Sequence, residues 1–201
     1  MAAILQKLQS TVIAGVVLLI IILVVVGATV SAPAFDHPWF AFLFRYLHVL
    51  SGVMWIGLLW YFNFVQIPNM PKIPDEQKPA IGKVIAPAAL FWFRWGAMST
   101  IVTGLILAAM NGYILDAIAL GFTDGGGSTP IGIGMWLGAI MWFNVWFVIW
   151  PNQKKALGMV EADADTKKAA ARTAMLFSRT NTLLSIPMLY CMVAAQNGGF
   201  S

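Results

Sequence analysis

Long apolar runs separated by short polar stretches dominate the chain. The hydrocarbon layer of a bilayer is roughly 30 Å thick, so a spanning helix needs about 20 mostly apolar residues. Five runs qualify, at residues 11–31, 39–66, 86–112, 131–150 and 174–196. None shows the alternating segments of about ten residues that are typical of transmembrane barrels. The pattern therefore predicts an all-α membrane protein with five transmembrane helices, in one integral membrane domain over residues 1–201.

Composition supports this class. Hydrophobic residues make up 60% of the chain and charged residues 10%, whereas soluble domains have about 45–50% and about 25%. The lipid bilayer is thus the first expected partner. The net charge of +4 does not call for nucleic acid as a partner, because the distribution of basic residues is explained by membrane topology.

The basic residues are concentrated in two of the segments between predicted helices. Segments 31–38 and 113–130 contain no Lys or Arg. Cytoplasmic loops are enriched in Lys and Arg, so the two basic segments are expected inside, with the N-terminus inside and the C-terminus outside. The basic residues are Lys72, Lys78 and Lys83 in one segment and Lys154, Lys155, Lys167, Lys168 and Arg172 in the other.

Two of the predicted helices contain similar sequences. "MWIGLLWYFN" (54–63) and "MWLGAIMWFN" (135–144) agree at five of ten positions, and each is followed by Pro-Asn. The next helix carries an arginine in both cases, Arg94 and Arg179. This indicates a parallel repeat of two hairpins, a pattern known in membrane proteins. The repeat predicts a four-helix bundle from residues 39–112 and 131–196, with helix 11–31 as an extra N-terminal helix.

One stripe of the second predicted helix is unusually polar. Projected at 100° per residue, it contains Arg45, His48, Gly52, Trp55, Leu59, Asn63 and Gln66. Polar side chains in a bilayer face the bundle interior, since lipid offers no hydrogen-bond partner. The last helix presents a similar stripe of Asn181, Ser185, Met188 and Met192.

These two stripes suggest a site for haem b. His48 is the candidate iron ligand and Met188 or Met192 the candidate thioether ligand. Arg45 could pair with a propionate, while Gly52 and Trp55 would line the ring. The alternative remains open that His48 is a hydrogen-bonding core residue and the methionines fill the core. A c-type haem is not expected, because the single Cys191 cannot form C-x-x-C-H.

The remaining polar residues of the predicted helices form a second candidate group, with a substrate-binding or a purely structural role. They are Asn63, Gln66, Arg94, Asn144, Arg179 and Asn181. The arginines could bind an anion bidentately or extend toward lipid headgroups. The sequence identifies no catalytic residue.

Three motifs resemble the PuuD-type urate hydroxylases, the urate oxidase N-terminal family. They are "RYLHVLSGVMWIGLLWYFNFVQIP", "MWFNVWFVIWPNQKKALG" and "SRTNTLLSIPML", within residues 40–196. The resemblance implies a bacterial inner-membrane protein linked to periplasmic electron transfer, with His48 as a haem ligand. It also implies oxidoreductase chemistry on urate, with 5-hydroxyisourate as the product.

The chain departs from the long members of that family in two ways. It ends at Ser201 without C-x-x-C-H, as expected for a short form lacking the C-terminal cytochrome c domain. Thr180, Asn181 and Thr182 stand where the long members have His-Asn-Asn, so no second histidine ligand is carried over.

Three functions follow from these observations. The first is a membrane-integral electron-transfer subunit that binds haem b near the periplasmic side and serves a periplasmic cytochrome c or a respiratory or photosynthetic complex. The second is a urate-oxidising enzyme. The third is an accessory subunit without a cofactor in a larger complex. Homo-oligomer formation is left open.

Overall fold

The computed structural model describes residues 2–200, and within them every regular element is helical. This confirms the all-α class. The chain divides into two compact units, Met1–Phe42 and Leu43–Ser201.

The first unit consists of two helices and the start of a third. Helix α1 spans Ala2–Leu5 and α2 spans Leu8–Thr29, and no residue of α2 is buried. A helix that is apolar on all sides belongs in an apolar environment, so α2 suits contact with lipid. Helix α3 begins at His37, and Asp36 caps it by accepting a hydrogen bond from the backbone N–H of Trp39 at 3.0 Å.

The second unit contains the rest of α3 and all later helices. Helix α3 spans His37–Trp60 and continues through a π-helical segment, Tyr61–Gln66, into α4 (Ile67–Asn69) and a 3₁₀ turn, Met70–Lys72. Helix α5 (Lys78–Ala80), a π-helical segment (Ile81–Ile85) and α6 (Ala86–Met110) form the next long helix. The later elements are α7 (Ile114–Ile118), α8 (Thr129–Phe143), a π-helical segment (Asn144–Ile149), α9 (Trp150–Ala156) and α10 (Ala164–Asn197).

Each of the three π-helical segments ends two residues before a proline, at Pro68, Pro87 and Pro151. Proline has no N–H group, and its ring clashes with the carbonyl four residues earlier. A local shift to hydrogen bonds between residues i and i+5 relieves that conflict without ending the helix. In this way the helices continue past Pro68, Pro87 and Pro151.

The core of the second unit lies where its long helices meet. It includes Trp55 and Leu59 of α3, Phe93 of α6, Met141 of α8 and Met188 of α10. Helices α3 and α6 approach closely at Gly96, where a Cβ atom would lie 3.3 Å from the backbone nitrogen of Trp55. Small residues allow such close backbone approach between membrane helices.

Four helices in the described residues are long and apolar enough to cross a membrane: Leu8–Thr29, His37–Lys72, Lys78–Met110 and Thr129–Ala156. Helix α10 has the length but carries the polar run Ser178–Thr182. The predicted fifth span at 174–196 and the predicted orientation therefore stay predictions.

The predicted repeat also stays a prediction. Asn69 and Asn152, which follow Pro68 and Pro151, make the same side-chain bond to the carbonyl four residues earlier, at 2.7 and 2.8 Å. The paired tryptophans differ, because Trp55 is buried and Trp136 is 48% exposed.

Candidate functional site

The half-buried ring of His48 on α3 packs against α6. Its Nδ1 lies 2.9 Å from the carbonyl oxygen of Thr100 and 3.4 Å from Oγ1 of Thr103. A carbonyl oxygen can only accept a hydrogen bond, so Nδ1 carries the proton and donates it to Thr100. The lone pair is then on Nε2.

Gly104 makes room for this ring. A Cβ atom at position 104 would lie 2.8 Å from Cε1 of His48 and 3.0 Å from Nδ1, closer than real side chains approach. Gly52, one turn along α3, is different, because a Cβ there would meet nothing within 4 Å. Gly104 therefore positions the ring, and Gly52 leaves open space beside the helix.

His48 has the hydrogen bonding of a metal-binding histidine. Metal-bound histidines usually donate their second N–H to a carbonyl or a carboxylate, and the bond from His48 to Thr100 has this form. No group of three or more His, Cys, Asp or Glu residues that could hold a metal ion occurs within residues 2–200.

The methionines face the core. Met188 is buried in the cluster around Trp55 and Leu59, and Met192 packs beside it. Methyl and methylene carbons of Met192 would lie 3.2–3.3 Å from a Cβ at Gly134 of α8. Both side chains thus pack among the helices, which is the structural alternative that the sequence left open for them.

Arg45 is exposed and its charge acts on Tyr113, which follows the end of α6. Burial raises the pKa of the Tyr113 phenol, and the positive charge of Arg45 opposes that rise. Arg45 has no hydrogen bond or ion pair with another of the described residues that would prevent it from binding an external carboxylate.

Three asparagines link α3, α8 and α10 by hydrogen bonds. Asn144 Nδ2 donates to Oδ1 of Asn181 at 2.8 Å, and Asn181 Nδ2 donates to the carbonyl of Met141 at 2.9 Å. Asn63 Nδ2 donates to the carbonyl of Leu59 and to Oγ of Ser178 at 2.8 Å. Asn181 is fully buried. These contacts give the asparagines a role in joining the helices.

The two arginines of the predicted repeat have different surroundings. Cζ of Arg94 lies 3.2 Å from the ring centroid of Trp150 and 6.0 Å from that of Trp146. Its Nε and Nη1 are buried without a hydrogen-bond partner. Arg179 is exposed on α10. The structure therefore does not bring the two arginines into equivalent sites.

A cavity of about 150 Å³ lies at the end of the bundle that carries the basic segments. Its polar lining consists of Gln66, Gln153 and Ser178. The rest of the lining is apolar, and the Oε1 atoms of both glutamines are buried without a partner, so they are the groups that a water molecule in the cavity would bind. Gln66 lies 18 residues beyond His48 along the chain, or about 27 Å along the helix, so this cavity is separate from the surroundings of His48.

Sequence reasoning missed Thr100, Gly104, Trp150 and Lys154. A threonine followed by glycine at i+4 on an apolar helix is a common helix-packing pattern, and only the contact with His48 distinguishes this pair. Trp150 ends the apolar run 131–150, and the sequence does not indicate that Arg94 covers its ring.

Comparison with known proteins identified one family. Residues 122–198 match the family model described as urate oxidase N-terminal, which is the family that the sequence motifs resemble. No curated protein and no solved structure matches the chain.

Proposed function

We propose that the chain is a membrane-integral electron-transfer subunit, because residues 122–198 match the urate oxidase N-terminal family and four helices are long and apolar enough to cross a membrane. In this proposal His48 holds haem b near the periplasmic side of a bacterial inner membrane. Electrons pass to a separate periplasmic cytochrome c or to a larger respiratory or photosynthetic complex.

The observation that carries the proposal is the hydrogen bond from Nδ1 of His48 to the carbonyl of Thr100. It fixes the tautomer in which Nε2 can bind iron, and it orients the ring through a backbone atom of α6. Nε2 makes no hydrogen bond with another of the described residues, so its lone pair is available to a metal ion. A bound haem would supply one-electron redox chemistry.

The residues of this chain would position the group. Thr100 and Gly104 orient the imidazole, and Arg45 lies one turn from His48, at the end of the bundle where its charge can meet a propionate. Met188 is buried in the core cluster, so we propose that His48 would be the residue of this chain that binds the iron.

An optical spectrum tests this proposal. Purified protein should show a reduced-minus-oxidised b-type band, and His48→Ala should abolish it. His37→Ala is the matched control, because His37 is the only other histidine and lies at the start of α3, about 16 Å along the helix axis from His48. Protein without haem, or an unchanged band in His48→Ala, would overturn the proposal.

The family match also favours a second function, an oxidoreductase of the urate hydroxylase type. Urate consumption by purified protein together with an added electron acceptor tests it directly. If His48→Ala abolishes urate consumption, the same site would serve both haem binding and urate oxidation. Absence of both haem and turnover, with the protein still bound in a larger complex, would leave the accessory-subunit role.

A further inference from the structure

Arg94 and Lys154 both contact the indole ring of Trp150. The guanidinium carbon of Arg94 lies 3.2 Å from the ring centroid and Nζ of Lys154 lies 5.6 Å from it. Each distance is within the range of about 6 Å for a cation–π interaction. Two positive charges therefore lie beside one aromatic ring, on α6 and α9.

No carboxylate of the described residues neutralises these charges, because the one ion pair among them joins Lys78, at the start of α5, to Asp75. Nε and Nη1 of Arg94 are buried without any hydrogen-bond partner. Arg94 as a whole is half-buried, and a cation inside a membrane protein usually has a partner of opposite charge. An anion that is bound from outside the chain would supply one.

The depth of the cluster indicates where that anion is found. Trp150 is the last residue of the apolar run 131–150, and Lys154 follows one helical turn later. Arg94 lies 16 residues before Met110, the other end of α6, or about 24 Å along the helix. Since the hydrocarbon layer is roughly 30 Å thick, all three residues lie near the same headgroup region, beside the basic segments.

We propose that Arg94, Trp150 and Lys154 form a binding site for the phosphate group of an anionic phospholipid. The guanidinium offers planar N–H donors suited to phosphate oxygens, and the ammonium of Lys154 adds a second charge. Trp150 holds the two cations in place. Basic pockets between transmembrane helices on the cytoplasmic side are suited to anionic headgroups.

Native mass spectrometry of the full chain, purified in detergent, tests the site. We expect phosphatidylglycerol to bind, with at least tenfold weaker binding in Arg94→Gln and several-fold weaker binding in Lys154→Gln. Arg179→Gln and Lys155→Gln are matched controls, because both residues are exposed, and each should bind the lipid as the unchanged protein does. Arg94→Lys should recover part of the affinity by restoring the charge.

Two further ligands show whether the bound anion is a lipid headgroup or a free anion. Phosphatidylcholine, which carries a compensating amine, should bind weakly, and inorganic phosphate should not displace phosphatidylglycerol. Displacement by inorganic phosphate or by urate at equal concentration would overturn the lipid assignment. Equal phosphatidylglycerol binding in Arg94→Gln and the unchanged protein would overturn the site itself. If the Arg94→Gln protein is not produced in a folded form, weaker phosphatidylglycerol binding by Lys154→Gln tests the same site.

Discussion

At the scale of single residues, the imidazole of His48 depends on the absence of a side chain at Gly104. The ring lies in the space that a methyl group would fill, and α6 contributes the Thr100 carbonyl one turn away. A helical glycine costs about 1 kcal/mol relative to alanine. Gly104 therefore lowers the stability of α6 slightly, but it leaves the space that the His48 ring occupies.

Gly104→Ala is expected to displace the His48 ring and break its bond to Thr100. The haem band should weaken or disappear, although the substitution by itself favours the helix. Gly57→Ala, at an exposed position of α3 outside the candidate site, is the matched control, because its Cβ would meet nothing within 4 Å; it should leave protein stability unchanged or raised by up to about 1 kcal/mol. Reduced spectra and thermal unfolding of both variants check this; an intact band in Gly104→Ala would contradict it.

The buried amide of Asn144 offers a second test on one side chain. Asn144→Ala removes the donor to Asn181 and leaves a buried Oδ1 unpaired, which costs about 1–3 kcal/mol. Asn69→Ala, at an exposed residue that bonds only its own helix, should cost clearly less. Unfolding in mixed micelles measures the difference. Equal losses in the two variants would show that the Asn144–Asn181 bond does not hold α8 and α10 together.

At the scale of elements, the π-helical segments set the limit of what could be predicted from sequence. The apolar runs correctly gave four of the long helices, and the stripe through His48, Trp55 and Leu59 lies on one face before Tyr61. A bond from i to i+5 adds one residue to the turn, which rotates later positions by about 100°. The helical projection is therefore offset beyond Tyr61, although Asn63 and Gln66 still face the interior, toward Ser178 and the cavity.

Contacts between helices were the other missing information. The sequence indicated His48, Asn181 and Met188 as interior residues, because polar or soft side chains recurred at helical spacing. It could not reveal that His48 meets Thr100 or that Arg94 covers Trp150, since neither pair has a spacing signal. Those pairings depend on how α6 is rotated against its neighbours.

The start of α10 has a pH-dependent cap. Asp163 accepts hydrogen bonds from the backbone N–H and from Oγ1 of Thr166, at 2.8 and 2.7 Å, and these bonds lower the pKa of its carboxyl group. A lowered pKa in the folded state means that the stabilisation is present above the ordinary value of about 3.9 and is lost as pH falls through the folded-state pKa.

Asp163→Ala should therefore lower the melting temperature at pH 7 and have little effect once the carboxyl is protonated. Asp163→Asn should keep much of the cap while removing its pH dependence. Melting curves between pH 3 and pH 7 check both variants. A loss in Asp163→Ala that is the same at every pH would exclude the charged cap as its cause.

At the scale of the whole molecule, topology decides whether His48 and the Arg94 cluster face opposite compartments. Three exposed residues provide labelling positions: Phe122 between α7 and α8, Met159 between α9 and α10, and Phe200 after α10. Cysteines at Phe122 and Phe200 should react with an impermeant thiol reagent from the periplasm, and one at Met159 only after the membrane is opened.

Thiol labelling of Phe200→Cys distinguishes a protein with five membrane-spanning helices from one with four. If α10 crosses the bilayer, this cysteine reacts as the one at Phe122 does. If it reacts as the one at Met159 does, the polar run Ser178–Thr182 keeps α10 from spanning and the predicted fifth helix is wrong. Reversed labelling of all three positions would overturn the orientation and, with it, the periplasmic placing of His48.

Cys191, the single cysteine of the chain, is buried in α10, with its Cβ 3.3 Å from the position that a Cβ of Gly134 would take in α8. A thiol reagent can reach it only when these two helices separate, because exchange of a buried group requires local opening. The natural protein thus contains its own reporter. The rate of Cys191 modification measures how often α8 and α10 come apart, in detergent or in a bilayer, without any engineered label.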